Sequence, residues 1–205
     1  VSTRGIGPER GGRDQNEDNY LVARQGRARF LGLHDESSLE ADGPGVMVVV
    51  ADGMGGHDHG ALASGAAVQA LARLFRGGRP ADPELALHSF VLRAHRRLQD
   101  RARDRGAANM GTTLTVAWLL GDHMYWVHVG DSRLYMERDG TLQQLTRDHT
   151  RGEFASRDGR AQPVGAEALT QNFIFGSRGL GDDPGIRVAA GTDTGSMRLR
   201  VGDRL

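Results

Sequence analysis

The sequence contains no cysteine, and this absence excludes several kinds of site. Disulfides, thiolate zinc sites and cysteine nucleophiles all require a thiol. Aromatic residues make up only 5% of the chain, and neither charge dominates, since Lys+Arg and Asp+Glu both number 26. A balanced charge gives no electrostatic reason to expect nucleic acid or an anionic membrane as a partner.

Long apolar runs are absent as well. No stretch approaches the ~20 apolar residues that a membrane-spanning helix needs. The first residues, VSTRGIGPERGG, are polar and rich in glycine, unlike a signal peptide. From these absences we predict a monomeric, cytoplasmic protein whose 205 residues form one domain.

The pattern of apolar residues predicts an α+β fold. Residues 46–51, VMVVVA, form an unbroken apolar run that is typical of a fully buried strand. Residues 59–75 have helical spacing, and a second helix is predicted to begin at an N-cap, Asp82. A period of two between residues 112 and 146 predicts four strands in an antiparallel meander. Helices that cluster apart from strands favour α+β over an alternating fold.

The second predicted helix carries a run of arginines opposite its apolar stripe. The apolar stripe consists of Leu87, Phe90, Val91, Ala94 and Leu98. The basic residues are Arg93, Arg96, Arg97, Arg101 and Arg103. Because no aromatic residues interleave with them, we interpret this run as a solvated helix face.

Three groups of carboxylates are candidates for chemistry. Asp52 ends the predicted buried strand, where a charge needs a partner, and the glycines that follow leave the backbone open to a ligand. The alternative is that Asp52 caps the next helix. Glu17 and Asp18 lie in an oxygen-rich segment that suits Mg²⁺ or Mn²⁺, or that forms an ordinary solvated loop. Asp131 lies in a Gly-Asp turn, where aspartate is common without any ligand.

Five motifs occur in a characteristic order: RDQNED, VADGMGGH, GTT, VGDSRLY and LTRDHT. From about Gly11 onward the chain closely resembles the metal-dependent Ser/Thr protein phosphatases of the phosphatase 2C type, in their bacterial form. The resemblance implies two antiparallel β-sheets packed as a sandwich and flanked by α-helices. It also implies that a binuclear Mn²⁺ or Mg²⁺ centre activates water to hydrolyse phosphoserine and phosphothreonine on proteins.

The resemblance assigns metal-binding roles by position. Asp52 matches the carboxylate that bridges both metals, and Gly53 matches the residue whose carbonyl binds the second metal. Glu17 and Asp18 match the acidic pair beside them. Asp131 matches the ligand of a third, weaker metal.

The resemblance also assigns residues to the substrate. Arg13 matches the arginine that holds the substrate phosphate, and His57 matches the histidine that protonates the leaving alkoxide. Residues 150–183 fall where the family has its flap, a subdomain beside the active site. The implied partners are a phosphoprotein substrate and a Ser/Thr kinase or its targets.

The family continues beyond the position of Leu205 with a strand ending in Ser-Asp-Gly and later an Asp-Asn pair. Those two aspartates are metal ligands, and neither is in this sequence. The resemblance therefore implies a C-terminally truncated domain that binds metal poorly and has little activity. Two rival interpretations remain: a non-catalytic interaction module on the same scaffold, and a metal-dependent phosphodiesterase or nucleotidase.

Overall fold

The computed structural model of the protein describes residues 16–25, 27–31, 36–39, 43–54, 58–106, 110–150 and 193–205. The chain forms strands, then two long helices, then strands again, in agreement with the predicted α+β class. The elements in chain order are β1 (Asn19–Arg24), β2 (Arg27–Leu31), β3 (Glu36–Leu39), β4 (Val46–Ala51), β5 (Gly53–Met54), α1 (Asp58–Arg76), α2 (Pro83–Asp104), β6 (Gly111–Thr112), β7 (Leu114–Leu120), β8 (His123–Val129), β9 (Tyr135–Arg138), β10 (Thr141–Gln144) and β11 (Asp193–Arg198).

Seven of the described strands form one antiparallel sheet in the order β11-β8-β7-β4-β1-β2-β3. Strand β4 lies at its centre, as its β-branched sequence favours. It pairs with β1 through Asn19↔Ala51 and with β7 through Val50↔Thr115. Two short ladders, β5 with β6 and β9 with β10, complete the described strands.

The second helix begins where the sequence predicts. The Asp82 side chain accepts a hydrogen bond from the Leu85 backbone N–H at 2.9 Å, and Pro83 occupies the first helical turn. This cap satisfies an N–H that the helix itself leaves without a partner, and proline fits where no donor is needed. The predicted apolar stripe is buried, and the five arginines of the opposite face are exposed.

Both helices pack on one face of the seven-stranded sheet. Alternate residues of the central strands, including Leu21, Val49 and Trp118, share one buried core with both helices. The Trp118 ring lies 6.4 Å from that of Phe75, and its indole N–H donates to the Pro44 carbonyl at 3.1 Å. The largest core side chain is therefore fixed by packing and by a hydrogen bond.

The other face of the sheet is partly open, and the prediction of a fully buried β4 is wrong. Val48 and Val50 are 40% and 47% exposed, and Val22 on β1 is 41% exposed. Successive side chains of a strand point to opposite faces, and the helices cover only one of them. An unbroken apolar run shows that both faces of a strand can be buried, but it does not show that other elements cover both of them.

The predicted four-strand meander is also only half right. Strands β7 and β8 form a hairpin in the main sheet, but β9 and β10 pair with each other in a separate ladder. The neighbour of β8 in the main sheet is instead β11, which the sequence did not predict. The predicted flap at 150–183 and the predicted return to the sheet at 185–188 lie outside the described residues, apart from Thr150.

Within the part of the chain that the structure describes, neither long helix is apolar enough along its length to cross a bilayer.

Candidate metal and phosphate site

Four strand ends meet at one edge of the main sheet. Strand β1 begins at Asn19, opposite Ala51 at the end of β4. Strand β7 begins at Leu114, opposite Val129 at the end of β8. The predicted ligands lie next to these strand ends in the sequence. Antiparallel pairing therefore brings Glu17 and Asp131 to the same edge of the sheet, although more than 100 residues separate them in the chain.

Glu17 is anchored there through its backbone. Its carbonyl accepts one hydrogen bond from the Gly53 N–H at 3.2 Å and another from the Ser64 hydroxyl at 2.7 Å. Glu17 is only 4% exposed, and a buried carboxylate needs compensating contacts. The predicted neighbours Glu17 and Gly53 are therefore in direct contact.

Two glycines make room for Glu17. A methyl group on Gly60, in the first turns of α1, would lie 2.8 Å from the Glu17 Cδ and 2.9 Å from its Oε2. A methyl group on Gly53 would lie 2.4 Å from the carbonyl oxygens of both Glu17 and Gly60. Only residues without a side chain permit this close approach. Gly53 was predicted as part of the site, and Gly60 was not.

The backbone of Asp52 is held from both sides by Thr113. The Asp52 N–H donates to the Thr113 hydroxyl at 3.0 Å, and the Thr113 N–H donates to the Asp52 carbonyl at 2.8 Å. The side chain of Asp52, however, is exposed. The prediction of a buried charge at this position is thus wrong, because the strand ends at Ala51 and Asp52 lies beyond the core.

Asp18 is exposed beside Glu17, on a short turn. Its N–H donates to the Asn16 Oδ1 at 3.2 Å, and the Asn16 side-chain amide donates back to the Asp18 carbonyl at 3.4 Å. This turn leads directly into β1. Adjacent residues thus place one carboxylate inward and one outward at the same sheet edge.

Asp131 lies on a turn that residues far along the chain stabilise. Gly130 has a φ of 117°, a conformation that favours glycine. Its N–H donates to the His149 Nδ1 at 3.1 Å, and its carbonyl accepts from the His149 N–H at 2.7 Å. Ser132, next in sequence, lies 3.1 Å from the Thr113 hydroxyl. Thr113 therefore links the backbone of Asp52 to the turn that carries Asp131.

A second histidine supports the same turn from inside. His128 is fully buried, and its Nε2 lies 3.0 Å from the Gly130 carbonyl and 3.1 Å from the Arg147 carbonyl. Its Nδ1 lies 2.8 Å from the Thr115 hydroxyl. Two carbonyls at Nε2 require that nitrogen to donate, so Nδ1 accepts from the hydroxyl. Burial lowers the pKa of His128, in opposition to the hydrogen bonds and carboxylates around it.

A partly exposed ion pair connects Arg133, just after this turn, to Asp148. The Arg133 guanidinium binds both oxygens of Asp148, with Nε–Oδ1 at 2.8 Å and Nη2–Oδ2 at 2.6 Å. The hydrogen bonds from Arg133 lower the pKa of Asp148, and those to Asp148 raise the pKa of Arg133. The pair joins the VGDSR motif to the RDHT motif.

Two of the predicted site residues, Arg13 and His57, lie outside the described residues. Among those that are described, no three histidine, aspartate or glutamate side chains converge as a metal-binding cluster. The oxygen donors of Glu17, Asp18, Asp52 and the Gly53 carbonyl nevertheless suit hard divalent cations. The absence of side chains at Gly53 and Gly60 leaves the space that Glu17 occupies at this edge. The donor chemistry fits Mn²⁺ or Mg²⁺ as part of a ligand set.

The sequence reasoning missed the residues that hold the ligands in place. Thr113, Ser64, His128 and His149 bind backbone groups of the predicted ligands or of their neighbours. The GTT and RDHT motifs contain two of them, so a signal existed in the sequence without a role attached to it.

Comparison with known proteins identifies the family of this chain. The sequence model of the family described as Protein phosphatase 2C matches residues 33–167, which include β4, both helices and the Gly130 turn. This chain belongs to the protein phosphatase 2C family.

Two curated bacterial proteins show the similarity. The serine/threonine protein phosphatase PstP of Mycobacterium tuberculosis (strain ATCC 25618 / H37Rv) is 35% identical over 159 residues, which cover 76% of this chain. That match spans only 30% of the length of PstP. Protein phosphatase PhpP of Streptococcus pneumoniae (strain ATCC BAA-255 / R6) is 31% identical over 203 residues, covering 94% of this chain and 71% of PhpP.

A solved structure shares the fold. The crystal structure of the catalytic domain of PstP in complex with two manganese ions matches with a TM-score of 0.69 and 27% identity. The match covers 99% of this chain and 72% of that one. It confirms the phosphatase 2C-like fold that the motifs predicted.

Proposed function

We propose that this phosphatase 2C-family chain hydrolyses phosphoserine and phosphothreonine on proteins at a centre of divalent cations. The observation that carries the proposal is the direct contact of the Gly53 N–H with the Glu17 carbonyl, at 3.2 Å, at the edge where Asp52 also lies. The relative PstP was crystallised with two manganese ions, which supports Mn²⁺ as the cation.

Glu17, Asp18, Asp52 and the Gly53 carbonyl are the groups that would hold the cations, and Asp131 would add a further site. A bound pair of such ions supplies a Lewis acid that lowers the pKa of water and polarises a phosphoryl oxygen. The chain's own contribution is positional. Thr113 fixes the Asp52 backbone, and Gly60 leaves room for Glu17, so the backbone that carries these carboxylates is held in place.

Arg13 and His57 would act on the substrate, as the family resemblance implies. A guanidinium binds two phosphate oxygens through a planar fork and stays charged at any working pH. A histidine with a pKa near neutrality can donate a proton to a leaving serine or threonine oxygen. The proposed substrate is a cytoplasmic phosphoprotein, in a pathway that contains a Ser/Thr kinase.

The test separates metal binding from turnover. Mn²⁺ binding is measured from the loss of the free-ion electron paramagnetic resonance signal, and turnover from p-nitrophenyl phosphate and a phosphothreonine peptide. We expect Asp52→Asn to weaken both, and EDTA to abolish turnover. Asp100→Asn, on the exposed side of α2, serves as a matched control and should change neither.

The outcomes distinguish the rivals. Turnover that needs Mn²⁺ and is lost in Asp52→Asn supports the proposal and overturns the prediction that this chain has little activity. Mn²⁺ binding without turnover of either substrate favours the non-catalytic module. Turnover of bis(p-nitrophenyl) phosphate in preference to the phosphopeptide favours the phosphodiesterase.

A further inference from the structure

The two helices enclose a groove on the helix layer, away from the sheet edge that holds the carboxylates. Its volume is about 250 Å³. The floor is apolar and includes Ala66, Ala70, Leu74, Phe90, Ala94 and Leu98. None of the predicted metal ligands lines it.

The floor is recessed. Phe90 and Leu98 are only 6% and 3% exposed, and the small side chains of Ala66 and Ala70 create the space between the helices. A volume of 250 Å³ is below the range of about 300–1,000 Å³ typical of cofactor and drug-sized pockets. The groove therefore suits one or two apolar anchor side chains better than a whole small molecule.

Four arginines rim this floor: Arg73 on α1, and Arg93, Arg97 and Arg101 on α2. All four are exposed. No carboxylate of the described residues forms an ion pair with any of them. Arg103, outside the groove, differs because Asp100 lies 3.4 Å away. The rim thus concentrates positive charge in a chain whose formal net charge is zero.

The spacing of the rim arginines matches a helix. Arg93, Arg97 and Arg101 succeed one another every fourth residue, about 6 Å apart along the α2 axis. Carboxylates at every fourth residue of a second helix have the same repeat. We propose that the groove binds an acidic amphipathic helix of a partner protein, with apolar residues on the floor and Glu or Asp against the rim.

A bilayer surface fits this geometry less well. Membrane-binding helices bury protruding apolar side chains below the headgroups. Here the apolar residues lie beneath the arginines. The protruding side chains of a docked helix can reach them, and a flat bilayer surface cannot. This proposal is independent of the phosphatase activity, since none of the predicted metal ligands lines the groove.

The probe is a fluorescein-labelled 21-residue synthetic helix with Leu along one face and Glu at every fourth position beside it. Its control has the same composition in an order that is not amphipathic. Anisotropy titrations of the whole chain give the Kd values. We expect the amphipathic probe to bind at least tenfold tighter than its control, and we expect its binding to weaken as salt rises.

Two variants test the groove itself. Arg93→Ala with Arg97→Ala should weaken binding about tenfold. The matched pair Arg96→Ala with Arg103→Ala removes the same charge outside the groove and should change the Kd of the probe less than twofold. Ala70→Phe fills the floor without altering charge and should also weaken binding. Unchanged circular dichroism shows that each variant is folded.

Three results would overturn the proposal: no binding of the amphipathic probe, equal binding of its non-amphipathic control, or equal losses in the two arginine pairs. The last two indicate general attraction between opposite charges. Binding to vesicles of 70% phosphatidylcholine and 30% phosphatidylglycerol, without binding to the peptide, would assign the groove to a membrane surface instead.

Discussion

Thr113 and Asp52 hold each other through two hydrogen bonds, although 61 residues separate them in the chain. The Thr113 hydroxyl accepts from the Asp52 N–H, and the Thr113 N–H donates to the Asp52 carbonyl. The same hydroxyl lies 3.1 Å from Ser132, beside Asp131. One buried threonine thus holds the backbone of Asp52 and contacts the hydroxyl of Ser132, the neighbour of Asp131.

Replacing Thr113 by valine tests this link, since valine keeps the shape and removes the hydroxyl. We expect the free energy of unfolding to fall by about 1–3 kcal/mol, because the Asp52 N–H loses its partner. Mn²⁺ binding should weaken about tenfold, as when other supports of metal ligands are removed. Urea unfolding and Mn²⁺ titration measure the two effects. Thr141→Val, on the exposed strand β10, is the matched control and should change neither.

Gly60→Ala should destabilise the chain, against the usual rule for helices. Alanine in place of a helical glycine ordinarily stabilises by about 1 kcal/mol. At Gly60 the new methyl group would lie 2.8 Å from the Glu17 Cδ and 2.9 Å from the backbone carbon of Gly53. Overpacking of this kind costs about 1–3 kcal/mol, which exceeds the gain in helix propensity.

Gly65, on the same helix, provides the control for Gly60. A methyl group there would lie 3.5 Å from the Asn19 side-chain nitrogen, an ordinary contact. We therefore expect Gly65→Ala to raise the midpoint of thermal unfolding and Gly60→Ala to lower it. Equal shifts in the two variants would mean that α1 yields at Gly60 and that Glu17 is not confined by it.

The stability of the chain should fall in mild acid because of His128. Its pKa is lowered in the folded protein, chiefly by burial, from an unfolded value near 6.5. The unfolded chain therefore binds the extra proton more readily. The contribution of neutral His128 to the free energy of unfolding is complete above pH 6.5 and is lost as the pH falls below it. Urea midpoints from pH 7.5 to 5 measure how strongly stability depends on pH, and His128→Gln should reduce that dependence. An unchanged pH dependence in that variant would assign it to another titratable group.

The elements that follow from local sequence were predicted well. The Asp82 cap, Pro83 and the apolar stripe of α2 each depend on residues within a few positions of one another. Strand β11 has no such local signal, because its sequence DTGSMR is polar and includes a glycine. Gly195 is required by its cross-strand neighbour, since a methyl group there would overlap the ring of Trp126. That requirement is invisible in the sequence.

The same distinction applies to the site. Glu17, Asp18 and Asp52 could be predicted as ligands because oxygen donors in motifs have a recognisable chemistry, and that role stays a prediction. Their supports could not be predicted, because Ser64 reaches the Glu17 carbonyl across 47 residues and acts through an ordinary hydroxyl. The exposure of Asp52 could not be predicted either, since an apolar run does not show whether the residue that follows it is buried.

The turn after β11 is fastened to β9 by the pair Arg138–Asp203. The guanidinium donates to both oxygens of Asp203, at 2.9 Å and 2.6 Å, and the Asp203 side chain is only 5% exposed. Arg138 and the Arg200 N–H lower the pKa of Asp203 to about 2.

We expect Asp203→Asn to lower the midpoint of thermal unfolding at pH 7. Because the folded pKa is below the unfolded value of 3.8, the stabilisation is present above pH 3.8 and is lost as the pH falls towards 2. The difference between the two proteins should therefore shrink over that interval. Asp100→Asn breaks an ion pair whose side chains are 74% and 69% exposed, and it should leave the midpoint unchanged. Equal effects of the two variants would show that Asp203 acts only as a surface charge.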